Sequence, residues 1–419
     1  MDHNYSGLLG IVVIIGVSVL FSKNRKAIKW SPIFMGLAVQ VLFAIAILGI
    51  PSMQVPGVFR SVFTLLNVMV TSLVDFTNEG SKFLFGPLAE IRDPWGFVFA
   101  FRALPTIVFF SAIMSGLYYL GILQKVVKFF AILMQKTMKT SGAETLSTSA
   151  NIFVGQTEAP LIVKPFLPTM TQSEIYCVMV GGMATIAAGV EGAYVGMLKD
   201  RIPDIAGHLI TSSFMGAMAT LIIAKIIVPE TEVPVTSGQM QIPDEEKVDV
   251  NVLEAVSRGA SEGISLAMNV GAMLVVFISL IAMFDALLGK FGVWINFSEP
   301  LTFSYITGIL LQPMAWLLGI PWAEAGQVGS LLGKKIILNE FVAYLSLSQM
   351  GSLISDRTVI IASYALCGFA NISSIGIQIG GLGGIAGKNK ATLAKLGLLS
   401  VLGGNLACFL CACIAGLLF

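Results

Sequence analysis

Long apolar runs separated by short polar stretches dominate this chain. The first runs from Gly7 to Phe21, and a second from about Ile33 to Ile50, where Pro51 closes it. Others cover Phe97 to Leu123, Ile175 to Leu198, Leu209 to Val228, Gly263 to Leu288, Val359 to Ile379 and Leu396 to Phe419. Crossing ~30 Å of hydrocarbon takes roughly 20 apolar residues as an α-helix, so the pattern predicts eight spanning helices. The first is not read as a signal peptide, because its basic residues follow the apolar run and no small-residue cleavage site ends it.

Other segments fit the pattern less simply. Residues 52 to 94 mix apolar positions with Asp75, Glu79, Lys82, Glu90, Arg92 and Asp93, which places them at a membrane interface. Gln124 to Thr140 sets Lys125, Lys128, Lys136 and Lys139 among Phe129, Phe130, Ile132 and Leu133, an amphipathic surface helix. Leu301 to Ile320 is apolar enough for a ninth span but is read as a surface or interface element. Pro229 to Val250, with Glu230, Glu232, Asp244, Glu245, Glu246 and Asp249, is a soluble linker.

Composition agrees with a lipid solvent. Of 419 residues 56% are apolar and 12% charged, against roughly a quarter charged in soluble domains. The 43 glycines are many for helices in water, whereas in membranes glycine lets helix backbones approach closely. A formal charge of +1 argues against a nucleic-acid partner. Cys177, Cys367, Cys408, Cys411 and Cys413 lie in apolar runs without a disulfide or metal spacing.

An internal repeat changes the picture from membrane protein to transporter. Pro105 to Met114, running on to Leu120-Gly121, resembles Gly271 to Leu280, running on to Leu288-Gly289. Each is followed by a polar motif, Val154-Gly155-Gln156-Thr157-Glu158-Ala159-Pro160 in the first half and Leu338-Asn339-Glu340-Phe341 in the second. Some thirty residues later each half has a broken span, Gly181 to Gly189 and Cys367 to Ser374. Two such units in opposite topology, each with a re-entrant hairpin and a broken helix, are the sequence sign of a secondary transporter. Helices break inside a bilayer only where they face protein, water or a ligand. Glu158 and Glu340, acids at that depth, are functional candidates by default, although an acid bonded to the broken backbone is the structural alternative. Asn151, Gln156, Thr157, Thr185, Asn371, Ser373 and Ser374 add neutral donors and acceptors suited to a solute with hydroxyls and amides.

Three motifs carry a family resemblance. Gly155 to Pro160, Asn339 to Tyr344 and Ala365 to Ser374 closely resemble the signatures of the concentrative nucleoside transporter family, and the likeness covers nearly the whole chain. It implies a homotrimer of all-α integral membrane subunits, each with eight transmembrane helices, two re-entrant helical hairpins, an immobile scaffold and a transport domain that moves as an elevator. It further implies that Glu340, Asn371 and Ser374 hold the ribose hydroxyls, while Gln156, Thr157 and Glu158 read the nucleobase edge. The Val190 backbone would lie nearby, and Leu266 and Phe369 would wall the base. The family's sodium site would fall on the Asn151 and Thr185 side chains and the Val154 and Ile186 carbonyls. Proton-coupled relatives depart from the Gln-Thr-Glu-Ala-Pro pattern, so sodium is the expected coupling ion and no cofactor is expected. Glu191 is an additional acid just after the first break, facing either a water-filled vestibule or the wetter half of its helix.

The expected organisation is then 1–94 for N-terminal scaffold helices, 95–228 for the first repeat, 229–258 for a cytoplasmic linker and 259–419 for the second repeat. Basic residues cluster after the first span, in 124–140 and in 387–395, which places those loops in the cytoplasm of a bacterial inner-membrane protein with its N-terminus outside. The Ile379 to Gly384 glycine run reads as close helix packing, and His3 and His208 as interfacial residues. An enzyme is excluded by the lack of a Ser/His/Asp or His/Glu spacing within the spans. A proton-coupled symporter and a channel remain the alternative readings.

Overall fold

The computed structural model describes residues 4–90, 98–238, 249–297 and 299–419, and within them every regular element is helical. His3, Arg92, Asp93 and Asp244 to Glu246, expected at the interface or in the linker, lie outside the described residues. The first two runs fold as α1 (Asn4–Leu20) and α2 (Trp30–Leu48). The polar stretch becomes the amphipathic helix α3 (Arg60–Phe85), whose Phe63 ring packs where Gly207 leaves no side chain in the way.

After α4 (Phe99–Tyr119), the helix α5 (Ile122–Met138) buries Leu123, Val127, Ala131, Met134 and Met138 and exposes its lysines, as an amphipathic surface helix must. The first hairpin descends through α6 (Gly142–Ala150). Its return arm, expected to be helical, is instead a series of turns and 3₁₀ segments at Ala159–Val163 and Leu167–Thr169. Pro160, Pro165 and Pro168 explain the difference, since each removes a backbone donor from any α-helical ladder there. The first broken span is α7 (Gln172–Ala184) and α8 (Ala188–Leu198), followed by α9 (Ile205–Ile227).

The second half opens with α10 (Val252–Trp294), whose 43 residues reach about 65 Å. It continues well past both ends of the predicted Gly263 to Leu288 run, because Glu254, Arg258 and Glu262 form a polar helical start capped by Asn251. Then α11 (Phe303–Leu317) turns by 116° into α12 (Trp322–Ile337), so the helix within Leu301 to Ile320 has 15 residues and ends at a sharp bend. The second hairpin is completed by α13 (Glu340–Gln349), the second broken span by α14 (Asp356–Leu366) and α15 (Ile372–Gly383), and the chain closes with α16 (Lys390–Leu418).

Six helical stretches among the described residues are long and apolar enough to cross a bilayer, or seven if the α11–α12 pair is one span. The count of eight is not reproduced by length alone, since α1 has 17 residues and Val359 to Ile379 is cut into two short helices. Burial sorts these elements. In the α7–α8, α9 and α16 stretches 89% of the apolar window is buried by protein, against 6% in α10. A central bundle therefore stands inside a partly open wall of α2, α4 and α10, whose apolar outer faces suit lipid or further protein.

One end of the bundle collects the basic segments. Lys23 donates its backbone N–H to the Ile227 carbonyl, and its side chain is held below the usual lysine range by burial first and by the charge of Lys395 second. Lys225 pairs there with Glu144 at 2.6 Å and with Glu230 at 3.6 Å, beside Ser141 and Thr171, which cap α6 and α7 through capping boxes. The linker is not free at its start: the Gly142 and Ala143 amides donate to Thr236, and Thr171 donates to Glu230.

Where the two broken spans cross, Gly368 lies against Met183 and Ala184. A Cβ at position 368 would stand 2.7 Å from the Met183 carbonyl oxygen and 2.6 Å from Cys408 Sγ. Backbone cannot move aside as a flexible side chain can. Gly368→Ala is therefore expected to lower stability by about 1–3 kcal/mol, read as an earlier thermal transition in detergent. Gly380→Ala, where a Cβ would meet nothing within 4 Å, should leave the transition nearly unchanged.

Candidate functional site

The two breaks meet near the middle of the central bundle. At the first, α7 ends at Ala184 and Thr185 takes an extended backbone before α8 begins. At the second, α14 ends at Leu366 and Asn371 starts α15 as its N-cap, accepting the Ser374 amide at 2.9 Å. Phe369 ties the two together by donating its N–H to the Thr185 carbonyl at 3.3 Å.

Glu340 stands beside this crossing, at the first position of α13 and 3% exposed. Asn339 precedes it as N-cap and fixes the start of the helix by accepting the Val342 amide at 2.9 Å. One Glu340 carboxylate oxygen accepts from Tyr194 Oη at 3.2 Å, and the other from Asn371 Nδ2 at 3.0 Å. The Tyr194 ring is held by stacking on Tyr344, with centroids 4.0 Å apart. The structure thus brings together Glu340, Asn371 and Ser374, which lie far apart in the chain, around one buried carboxylate.

The tip of the first hairpin reaches the same place. Gln156 Nε2 lies 3.4 Å from Ser374 Oγ, and its Oε1 accepts from Gln378 Nε2 at 3.2 Å. Thr157 packs its methyl where Gly381 provides room and donates to Glu158 Oε1 at 3.4 Å. Glu158 folds back over Gly155, where any Cβ would collide with its carboxylate, and is exposed in the single chain. Val190 is buried in the first turn of α8. Leu266 is exposed on α10, one turn beyond Gly263; Gly263 and Gly189 both approach Ser111 of α4.

A second group lies on the other side of the first break. Asn151 closes α6 and donates from Nδ2 to the Ser147 carbonyl, while its Oδ1 is buried with no hydrogen-bond partner among the described residues. Thr185 Oγ1 donates to the Gly181 carbonyl at 2.9 Å, and Gly181 also lies next to Asn151, whose Nδ2 would be 3.2 Å from a Cβ there. Ile186 is fully buried and Val154 partly so. An unpartnered amide oxygen with a hydroxyl and nearby backbone carbonyls is a hard-oxygen donor set, which suits an alkali cation.

Several contributors were not found from the sequence. Lys335 is completely buried and donates to the Ala365 carbonyl at 2.8 Å, with Phe409 under its charge. Tyr344 donates to the Ser363 carbonyl, and Asn405 Nδ2 to the Ala370 carbonyl at 2.8 Å. Only Asn405 carries a signal that could have singled it out, as a polar residue in the apolar part of α16; Lys335 and Tyr344 lie in helices with other polar residues. Glu191 faces neither a vestibule nor a wet half-helix: it is 5% exposed and its Oε1 has no hydrogen-bond partner among the described residues. His208 is not interfacial but buried, packed edge-on by Phe63 and Phe419 and 3.3 Å from Tyr364 Oη. Of the glycines in the 379–384 run, only Gly381 makes an approach that a Cβ would forbid outright.

Known proteins agree with this architecture. Family models described as the N-terminus and the C-terminus of Na+ dependent nucleoside transporters match residues 9–88 and 208–416, and one described as nucleoside recognition matches residues 100–201. An uncharacterized transporter of Haemophilus influenzae is 45% identical, over 98% of this chain and 97% of its own. Nucleoside permease NupC of Helicobacter pylori is 40% identical, over 98% and 96%. CNTnw solved in an inward-facing substrate-bound state superposes with a TM-score of 0.88 at 40% identity, covering 99% of this chain and 97% of that one. A CNTnw variant in an outward-facing state gives 0.90 at 40% identity, covering 99% and 98%. These relatives are transporters rather than enzymes, and by the extent and identity of the matches this multi-pass membrane protein belongs to the concentrative, Na+ dependent nucleoside transporter family.

Proposed function

We propose that this protein imports nucleosides by symport with sodium, through alternating access of the elevator type. The observation that carries the reading is Glu340. A buried carboxylate whose side-chain hydrogen-bond donors are the neutral groups of Tyr194 and Asn371 has room for stronger donors. A vicinal diol supplies two hydroxyl donors of the kind it lacks. Glu340, Asn371 and Ser374 accordingly hold the ribose. Gln156, Thr157 and Glu158 read the base edge, with the Val190 backbone nearby and Phe369 and Leu266 as apolar walls. Leu266 reaches the base only once α10 and the bundle shift relative to one another, as an elevator allows.

Sodium is held by the Asn151 and Thr185 side chains with the Val154 and Ile186 carbonyls. The vacant Asn151 Oδ1 supports this assignment, because a buried acceptor without a partner is costly unless a ligand completes it. The scaffold comprises residues 1–94 with the outer helices, and the transport domain the hairpins and broken spans of the repeats at 95–228 and 259–419, joined through 229–258. Three copies assemble among the lipids of a bacterial inner membrane, with N-termini outside and the basic end of the bundle in the cytoplasm. A proton-coupled reading has one observation in its favour, the buried Glu191 with an unpartnered carboxyl oxygen. Proteoliposomes separate the two: nucleoside accumulation should follow an imposed sodium gradient and vanish when choline replaces sodium, whatever the proton gradient. Accumulation driven by protons alone would favour the second reading.

Two substitutions test the site. Glu340→Gln replaces a charge-assisted acceptor by a neutral one, a loss of about 2 kcal/mol or roughly 30-fold in nucleoside affinity. Concentrative uptake should be abolished while the protein stays folded in size-exclusion chromatography, and normal uptake would remove Glu340 from the site. Thr185→Val keeps the shape and deletes an oxygen ligand. The sodium concentration for half-maximal uptake should rise about tenfold, and nucleoside affinity should fall at low sodium yet recover at saturating sodium, because linkage is reciprocal. Wild-type sodium dependence in this variant would displace the proposed cation site.

A further inference from the structure

Gln378 is a polar residue in the apolar, glycine-rich helix α15 and is fully buried. Its Nε2 donates to the Met179 carbonyl at 3.0 Å and to Gln156 Oε1 at 3.2 Å, whereas its own Oε1 is buried without a partner among the described residues. A peptide carbonyl only accepts, so Met179 fixes which end of the Gln378 amide carries the hydrogens. Those hydrogens in turn need an acceptor, and this fixes Gln156 with its oxygen turned toward Gln378 and its NH₂ turned away. Gly182 makes the arrangement possible: a Cβ there would lie 2.7 Å from Gln378 Nε2 and 2.8 Å from Gln156 Cβ. Packing does not explain Gln378, since an apolar side chain of similar length would fill the site without leaving an acceptor vacant.

We propose that Gln378 is a positioning residue that sets base specificity by holding Gln156 as a hydrogen-bond donor, so that the pocket selects nucleobases with an exocyclic carbonyl over those with an amino group. The inference rests on the nucleoside reading above and narrows it to a class of base. One Gln156 N–H points to Ser374 Oγ, 3.4 Å away, which leaves the other for the base. Uracil and hypoxanthine present an acceptor at the 4-oxo and 6-oxo positions, where cytosine and adenine present a donor. A donor locked in place meets the first pair with a hydrogen bond and the second with opposed N–H groups. A freely turning amide would serve both.

The test is competition against labelled uridine by unlabelled uridine, cytidine, inosine and adenosine, measured as binding to the detergent-purified protein in saturating sodium and as uptake into proteoliposomes. In the wild type, uridine should outcompete cytidine, and inosine adenosine, by about tenfold. Gln378→Met frees Gln156 to turn over, and both ratios should collapse to within about twofold. A merely structural role would change total binding without moving the ratios. Gln378→Leu reads the same ratios should the methionine variant fail to fold. A wild type that treats each pair alike, or variants that keep the wild-type ratios, would overturn the inference. If no nucleoside binds at all, it is the nucleoside reading that falls.

Discussion

A helix that breaks inside a bilayer frees backbone N–H and C=O groups that no water can reach, and satisfying them is the constraint on which this structure depends. The partners come from distant parts of the chain. Around the second break, Tyr344 donates to the Ser363 carbonyl, Lys335 to Ala365, Cys408 to Cys367 and Asn405 to Ala370. At the first, Thr185 covers the Gly181 carbonyl and Phe369 the Thr185 carbonyl. Near the two breaks this covering is incomplete among the described residues: the Asn151, Gln378 and Asn405 amide oxygens are left over, and the hydrogen-bond donors to Glu340 are neutral. Backbone needs are met by the protein, and the remaining side-chain acceptors are what a solute and an ion find.

Close approach is the second requirement, because short bonds between broken helices need backbones nearly in contact. Gly368 against Met183 and Gly404 against Met183 and Ala370 provide it, each at distances that a methyl group would occupy. In lipid the hydrophobic effect does not press helices together, so tight packing and these interhelical bonds carry the association. The well-buried α7, α9 and α16 therefore form the inner bundle, while the sparsely covered α10 keeps an apolar surface that suits lipid or further protein.

Much of this was legible from the chain. Runs of apolar residues gave the helices, the amphipathic spacing of Leu123 to Met138 gave the surface helix, and the matched motifs gave both breaks and the acids beside them. Hydropathy could not show that α10 continues through Glu254, Arg258 and Glu262, since a polar helix outside the membrane has no apolar signal. Nor could it show that the return arm of the first hairpin forgoes an α-helix, although Pro160, Pro165 and Pro168 stood in plain view. His208 and Glu191 were misjudged for one reason. A polar side chain in an apolar run is read as wet, but three dimensions can enclose it in rings, as with His208, or seal it off, as with Glu191. Lys335 and Asn405 escaped because they bond backbone carbonyls at the second break, and Gln378 because its partners, Met179 and Gln156, are distant in the chain.

The bond from Phe369 to Thr185 connects these levels. Phe369 is the proposed wall of the base, and Thr185 the proposed sodium ligand through its hydroxyl, so one backbone hydrogen bond joins the two proposed sites at the crossing of the breaks. An ion that draws Thr185 Oγ1 away from the Gly181 carbonyl shifts the extended segment to which Phe369 is bonded. The same movement reaches Asn371, two residues on, and through it Glu340. Coupling then needs no long pathway. On the proposed assignment an ion would alter the backbone geometry of one break, the other break is hydrogen-bonded to it, and the second break carries the residues proposed to hold ribose, so each ligand would favour the crossing geometry that the other requires.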